Sequence, residues 1–331
     1  MTDARISVLD LASVGRHETV REALDGCVAL ARRAEDLGFT RVWYAEHHNM
    51  SSIASSATSV LIAHVAAHTE RIRLGAGGVM LPNHSPLVIA EQFGTLETLH
   101  PGRIDLGLGR APGTDQVTLR ALRRDPAAAD TFPQDVVELQ GYLADESRVP
   151  GVRAVPGRGT GVPLYILGSS LFGAQLAAYL GLPFGFASHF APAMLEQAVA
   201  IYRDTFRPSQ QLDEPYVIAG VNVIAADSDD VAHEQLAAVR RLRARSLFSR
   251  GGGKLTEDDI DAILASPQAV HVEEMLRCSA VGTRDAVRAY LEEFRVRARA
   301  DELITSHPAT DVAARLRSLE VLADAMGLTP A

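Results

Sequence analysis

Apolar residues along this chain fall into two alternating patterns: short, near-continuous runs rich in Val, Ile, Leu and Phe, and longer stretches in which they recur every three or four positions. RISVLD (5–10) is of the first kind and predicts a strand. Residues 18–37 are of the second kind, with Val20, Leu24, Cys27, Val28, Ala31 and Ala34 on one stripe, and predict a helix. The alternation continues with FTRVWYA (39–45) and an Ala-rich helix over 54–68, then IRLGAGG (72–78) and a helix over 86–99. Ser85 is suited to cap the last of these, and Pro86 to its first position, where the missing N–H costs nothing. A fourth unit pairs RIDLGLG (103–109) with a helix near 133–146.

Residues 147–163 are punctuated by proline and glycine and form an extended loop with room for a small hairpin. Beyond them the alternation resumes: LYIL (164–167) with a helix over 170–180, and FGFAS (184–188) with one over 192–206. YVIAGVNVIAA (216–226) pairs with 229–248, and DELITS (301–306) with 311–326, which brings the units to eight. Strands that are apolar throughout, each followed by a helix, predict a closed (β/α)8 TIM barrel. It occupies 1–331 as one domain, with an insertion over about 249–299 before the eighth strand. That insertion opens with RGGGK, whose glycines suit a mobile lid or an ordinary flexible loop equally.

Charge narrows the range of partners. The net charge of −9 is spread along the chain, and of the 32 basic residues only Lys254 is a lysine. No basic tract is present to meet a nucleic acid or a membrane surface, and LRALRR (119–124) has the spacing of a solvated helical face. Cys27 and Cys278 are too few for a disulfide framework and lack metal-ligand spacing, so a reduced, cytoplasmic setting is expected. The opening MTDARISVLD has no signal-peptide core, and the longest apolar window, SVLIAHVAAH (59–68), is too short to span a bilayer.

In such a barrel the chemistry gathers where the strands end. Those positions are polar or small: Asp10; Glu46, His47 and His48; Gly77 and Gly78; Arg110; Gly168, Ser169 and Ser170; Ser188 and His189; Ser306 and His307. Glu46, His47 and His48 are open to three readings: a metal site, an acid/base group or a structural cap. Adjacent side chains diverge from a strand, which counts against two neighbouring histidines sharing a metal, and none is expected. GSSLFGAQLA (168–177) opens a helix with small residues whose free amides suit an anion, with Arg110 as a positive partner; a plain N-cap is the simpler alternative. The glycines of LGAGGVMLPNHSP (74–86) permit close approach of a flat ligand, or simply a turn.

Taken together, GFTRVWYAEHHNM, RIRLGAGGVMLPNHSPLVIAEQFGTLETLHPGRIDLGLGRAPG and LYILGSSLFGAQLAAYLGLPFGFASHF resemble the bacterial luciferase-like flavin monooxygenase family. The closing DELITSHPATDVAARLRSLEVLADAM resembles its last strand and helix, and the likeness weakens only in 111–162 and 227–278. The resemblance implies a barrel that binds reduced FMN (FMNH2) as co-substrate at its mouth, adds O2 at flavin C4a and oxygenates a small organic substrate. His47 matches the family's catalytic histidine, with Glu46 beside it in the flavin pocket. Gly77 and Gly78 match a non-prolyl cis peptide against the isoalloxazine ring. Arg110, Ser169, Ser170 and the backbone near Gly173 match the phosphate-binding positions. A histidine titrating near neutrality suits proton exchange there.

The sequence also departs from luciferase itself, which carries a glutamate where this chain has Ser169 and a cysteine near C4a where it has Gly109. A second phosphate-binding arginine has no match, with Arg120, Arg123 and Arg124 as candidates. The aldehyde substrate and light emission therefore do not follow. A deazaflavin (F420)-dependent oxidoreductase of the same superfamily and a non-catalytic flavin-binding protein are the alternatives, the second disfavoured by the retained histidines. No dinucleotide fingerprint is visible, which points to a separate flavin reductase. The resemblance also implies a homodimer, with SSATSVLIAHVAAH (55–68) offering small residues for the contact.

Overall fold

In the computed structural model, which describes residues 5–15, 17–111, 113–249 and 255–330, parallel strands close into a barrel. They are β1 (Arg5–Asp10), β2 (Arg41–Tyr44), β3 (Arg73–Met80), β4 (Ile104–Gly109), β5 (Leu164–Gly168), β6 (Phe184–Phe186), β7 (Val217–Ala225) and, after a short β8 (Ser279–Gly282), β9 (Glu302–Ser306). From β1 to β7 each strand pairs with its successor; β7 then pairs with β9, which returns to β1 and completes the eight-stranded ring. The ninth strand, β8, lies outside this ring, paired with the far half of β7 (Asn222 to Ala225). The helices are α1 (Val20–Leu37), α2 (Thr58–Ala66), α3 (Pro86–Leu99), α4 (Gln116–Ala121), α5 (Phe132–Ala144), α6 (Leu171–Leu180), α7 (Leu195–Thr205), α8 (Asp229–Phe248), α9 (Glu257–Leu264), α10 (Ala269–Leu276), α11 (Arg284–Arg297) and α12 (Val312–Met326).

Local chemistry sets the boundaries. Helix α1 starts in a capping box: Glu22 N donates to Thr19 Oγ1 at 3.2 Å and Thr19 N to Glu22 Oε2 at 2.7 Å. Gly38 ends it at φ 87°, a conformation that favours glycine. Helix α2 begins later than the apolar pattern predicts, because Ala54 N donates to Ala12 O and Ser55 Oγ to Leu11 O, each at 3.0 Å. Those bonds hold residues 54 and 55 in the loop that leaves β1. Ser85 and Pro86 open α3 as expected, although the Ser85 side chain makes no capping bond. The 147–163 segment contains turns and no strand, so the small hairpin does not form.

The excursion between β7 and β9 divides differently from the expected insertion at 249–299. Helix α8, anticipated as the seventh barrel helix, instead contributes Val239 and Ala244 to a separate core with Ile260, Val272 and Leu276 of α9 and α10. The helix that joins the barrel's main core is α11, through Val287, Leu291 and Phe294. Residues 250–254, which hold the RGGGK glycines read as a lid or flexible loop, lie outside the described residues.

Inside the barrel the N-terminal end is ionic. Arg41 Nη1 lies 2.7 Å from Asp105 Oδ2 and 2.8 Å from the Tyr165 hydroxyl, and its Nε 2.9 Å from Glu302 Oε1. Trp43 Nε1 donates to Asp105 Oδ2 at 3.1 Å, Arg73 Nε to Asp105 Oδ1 at 3.1 Å and the Tyr216 hydroxyl to Glu302 Oε2 at 2.7 Å; Ser7 Oγ also donates to Glu302. Asp105 and Glu302 are fully buried. Removing one member strands charges that water cannot reach. Arg41→Met should therefore lower unfolding stability by about 3–5 kcal/mol, read from the denaturant midpoint; a loss below about 1 kcal/mol would mean that the carboxylates find other partners.

Candidate active site

Above this ionic floor, Leu9, Trp43, Ala45, Tyr165, Ile218 and Ile304 form an apolar layer, and the inner wall toward the mouth is lined largely by glycine. Space dictates this: a Cβ on Gly107 would lie 2.3 Å from Ala76 O, and one on Gly220 2.5 Å from His189 Nδ1. The wall thus presents bare backbone, and the Gly77–Gly78 peptide in it is cis.

At the end of β2, Glu46 is buried and engaged through both oxygens. His48 Nε2 and His84 Nε2 each lie 2.8 Å from Oε1, and Met80 N donates to Oε2 at 3.1 Å. Burial alone would raise its pKa, but the bonds from His84, His48 and Met80 outweigh it and hold the carboxyl below its ordinary value. Glu46 therefore clamps the end of β2 to the end of β3 and the turn after it. The donor atoms of Glu46, His48 and His84 lie within 4.8 Å of one another, close enough for one cation, but the hydrogen bonds already join them to each other. The sequence reading weighed His47 with His48 and missed this trio, whose signal was the alternate spacing of 46 and 48 together with the histidine of NHSP.

His47 is half-buried and its ring is bonded to the Gly113 backbone. Burial lowers its pKa, opposed by Gly113 and Glu46 and assisted by the charges of His48 and Arg243. His189, after β6, is buried with Nδ1 unpartnered among the described residues. Burial, then Arg243 and His47, push its pKa down to about 3. Asn222 Nδ2 donates to His189 O at 2.7 Å and fixes that turn. Arg243 comes from α8, an element to which the sequence reading assigned no site residue.

On another side of the mouth, Arg110 is exposed, with its guanidinium carbon 4.1 Å from the centroid of the Phe172 ring in the first turn of α6. Ser170 is the N-cap of α6 but supplies no side-chain bond, which leaves the first amides uncapped, and Ser169 precedes it. Gly168 and Gly173 sit back to back, a Cβ on either falling 3.7 and 3.6 Å from the other's Cα. The structure thus brings Arg110, Ser169, Ser170 and Gly173 together at one helix start. Of the candidate second arginines, Arg124 is bonded to Asn83 O at 3.0 Å.

Two other strand ends are fastenings to helices. Asp10 Oδ1 accepts from Ala12 N at 2.9 Å and from Arg315 Nη1 of α12 at 3.0 Å. His307 lies between Thr305 Oγ1 (3.1 Å) and Ser318 Oγ (2.8 Å), and burial, with Arg315, pushes its pKa down to about 3.

A parallel barrel whose glycine-lined mouth carries a neutral histidine on one side and an uncapped helix start on another has the features of a cofactor-using barrel enzyme. The family model of luciferase-like monooxygenases matches residues 4–302. A luciferase-like monooxygenase of Escherichia coli K12 is 49% identical over 330 residues, covering 98% of each chain. The crystal structure of apo-MsnO8 superimposes with a TM-score of 0.87 at 35% identity, over 99% of this chain and 100% of that one. The oxygenating constituent of 3,6-diketocamphane monooxygenase from Pseudomonas putida, solved with FMN, shares the fold at a TM-score of 0.73 and 16% identity, over 98% and 97%. The chain belongs to the luciferase-like monooxygenase family, and is a flavin-dependent oxidoreductase that uses O2 on a small substrate. Among the described residues no helix is long and apolar enough to cross a membrane.

The buried histidines make a testable demand on stability. In the unfolded chain His189 and His307 titrate near 6.5, whereas in the fold both stay neutral to about 3. A depressed folded pKa leaves stability intact above the unfolded value and removes it as pH falls toward the folded one, by up to about 1.4 kcal/mol per pH unit for each histidine. Denaturant midpoints should therefore drop between neutral pH and about pH 4, and His307→Asn should flatten that slope by roughly one proton. An unchanged slope would show that His307 is protonated within the fold.

Proposed function

We propose that this enzyme is an FMN-dependent monooxygenase that takes reduced FMN from a separate reductase and oxygenates a small organic substrate at the barrel mouth. The observation that carries the reading is the pairing of Arg110 with the uncapped start of α6. Converging amides and one guanidinium suit a compact terminal phosphate, which FMN presents and riboflavin lacks. The phosphate of a deazaflavin cofactor is instead an internal diester with one charge fewer, for which a guanidinium and several converging amides are a poorer match.

When bound, the flavin supplies the activation of O2. The protein's part is to hold and protonate. Arg110, Ser169, Ser170 and the α6 amides near Gly173 bind the phosphate, and the bare backbone at Gly77 and Gly78 lets a flat ring approach. His47, kept neutral by burial, accepts or returns a proton at the ring nitrogen that Gly113 leaves free. Glu46 fixes the segment that carries it. The absence of a dinucleotide fingerprint supports a separate reductase.

One pair of variants separates holding from proton transfer. Arg110→Ala should weaken FMN about 10- to 100-fold and riboflavin less than about two-fold, read by flavin fluorescence. His47→Ala should leave both affinities nearly unchanged and lower product formation about 10²- to 10⁴-fold in single turnovers with photoreduced FMN. Equal losses of FMN and riboflavin would move the phosphate elsewhere, and parallel loss of binding and turnover in His47→Ala would make that residue a flavin ligand.

The same reading includes a homodimer through α2 and α3, where Val60 and Val88 stand exposed at 67% and 43%. Light scattering at micromolar concentration should give twice the monomer mass, and a monomer there would remove it.

A further inference from the structure

Among the described residues four carboxylates are buried, and three of them face arginines. Asp10 pairs with Arg315, Asp105 with Arg41 and Arg73, and Glu302 with Arg41. Glu46, only 1% exposed, pairs with no arginine or lysine among the described residues. A buried carboxylate ordinarily recovers the water it loses from a permanent cation. Here two imidazoles and one backbone amide take that place.

Those imidazoles meet at a single atom. His48 Nε2 and His84 Nε2 each lie 2.8 Å from Glu46 Oε1, and the three donor atoms fall within 4.8 Å of one another. Each ring carries a proton on Nε2 when it bonds to the carboxylate. Among the described residues neither ring bonds through Nδ1, so each can hold its proton there and offer the Nε2 lone pair instead. One divalent ion then replaces two hydrogen bonds without removing a proton from a neutral imidazole. Tetrahedral coordination at about 2.0–2.1 Å sets the ligand atoms about 3.3 Å apart, so each ring needs to retreat from Oε1 by only about 0.5 Å.

The frame keeps the three side chains together. Glu46 and His48 alternate in the segment after β2 and so share a side, which the adjacent His47 does not. His84 follows the buried turn Leu81–Asn83, where its N donates to Leu81 O at 2.9 Å, and Arg124 bonds Asn83 O at 3.0 Å. Met80 N, donating to Glu46 Oε2 at 3.1 Å, turns Oε1 toward the histidines, as outer bonds commonly orient a metal ligand. The half-buried rings of His48 and His84 leave a route from solvent.

We propose that Glu46 Oε1, His48 Nε2 and His84 Nε2 form a binding site for a divalent metal ion of the Zn2+ class, with water completing its coordination. Two imidazoles and one carboxylate select such an ion over Mg2+ or Ca2+, which take oxygen ligands. Bound there, the ion gives Glu46 the permanent positive charge that the other buried carboxylates receive from arginine. It also fastens the end of β2 to the turn after β3 by coordination in place of hydrogen bonds.

Titration of the chelator-stripped, flavin-free protein with Zn2+, by calorimetry, and with Co2+, by visible absorption, tests this independently of the cofactor. The wild-type chain should bind one ion with a Kd of about 10 μM or tighter, and Zn2+ should raise its thermal midpoint. His84→Gln and His48→Gln each keep an N–H for Glu46 but lose the ring lone pair. Both should fold with nearly the wild-type midpoint in the absence of metal, and bind Zn2+ about 30- to 100-fold more weakly. The competing seat is His64 and His68, an exposed pair on α2 with ring centroids 4.8 Å apart. His64→Gln should leave the affinity unchanged. No stoichiometric ion in the wild type, or wild-type affinity in both His84→Gln and His48→Gln, would overturn the proposal. So would loss of the ion in His64→Gln, which would move it to α2.

Discussion

The Arg41 guanidinium determines how this barrel can close. Its contacts reach Asp105 on β4, Tyr165 on β5 and Glu302 on β9, and through these the network takes in Ser7 on β1, Trp43 beside it on β2, Arg73 on β3 and Tyr216 at the start of β7. Every strand of the ring except β6 contributes to or adjoins this one buried cluster. Such a cluster adds less to stability than its number of bonds implies, because each charge has surrendered its water. Its strength is geometric: a strand out of register would leave an ion without a partner, so the correct closure is set apart from near alternatives.

The floor also sets the depth of what lies above it. Trp43 and Tyr165 meet edge to face at 4.9 Å, and each turns its polar end down into the network, Trp43 to Asp105 and Tyr165 to Arg41. Their apolar faces therefore form the base of the mouth. Higher up, glycine replaces side chains on the wall. The histidines around the mouth are differentiated by surroundings alone: His48 and His84 are spent on Glu46, His189 is kept neutral by burial, and His47 is half-buried with one nitrogen occupied by Gly113. In the proposed reading His47 is therefore the imidazole left to exchange a proton while its neighbours are fixed.

Much of the fold was legible because both faces of the strands are buried. Runs such as VIAGVNVIAA have no alternation to misread, and the helices between them carry clear stripes and caps, as at Thr19 with Glu22. The errors arose where tertiary contacts decide. The start of α2 is displaced by bonds from Ala54 and Ser55 to the β1 loop, which no local pattern records. The seventh helix was misplaced because α8 follows β7 directly and both α8 and α11 bury apolar residues. Only the β8 pairing with the end of β7 shows that α8 departs with the excursion and α11 returns to the barrel.

The site was legible in proportion to how locally it is built. Arg110, Ser169, Ser170 and Gly173 come from two neighbouring strand ends, and strand-end reasoning alone is enough to group them. Glu46 and His48 were singled out but not joined to each other, since the relevant period on β2 is two rather than one, and His84 was missed because it reaches Glu46 from beyond β3. Arg243 left a fainter trace. An arginine at the position where the Ala232, Leu236 and Val239 stripe calls for another apolar residue conflicts with its own helix, and such conflicts concentrate where a protein does chemistry. Its three neighbouring arginines obey the ordinary rule and face acids across the excursion. The exception, Arg243, continues the apolar stripe instead and pairs with no acid among the described residues.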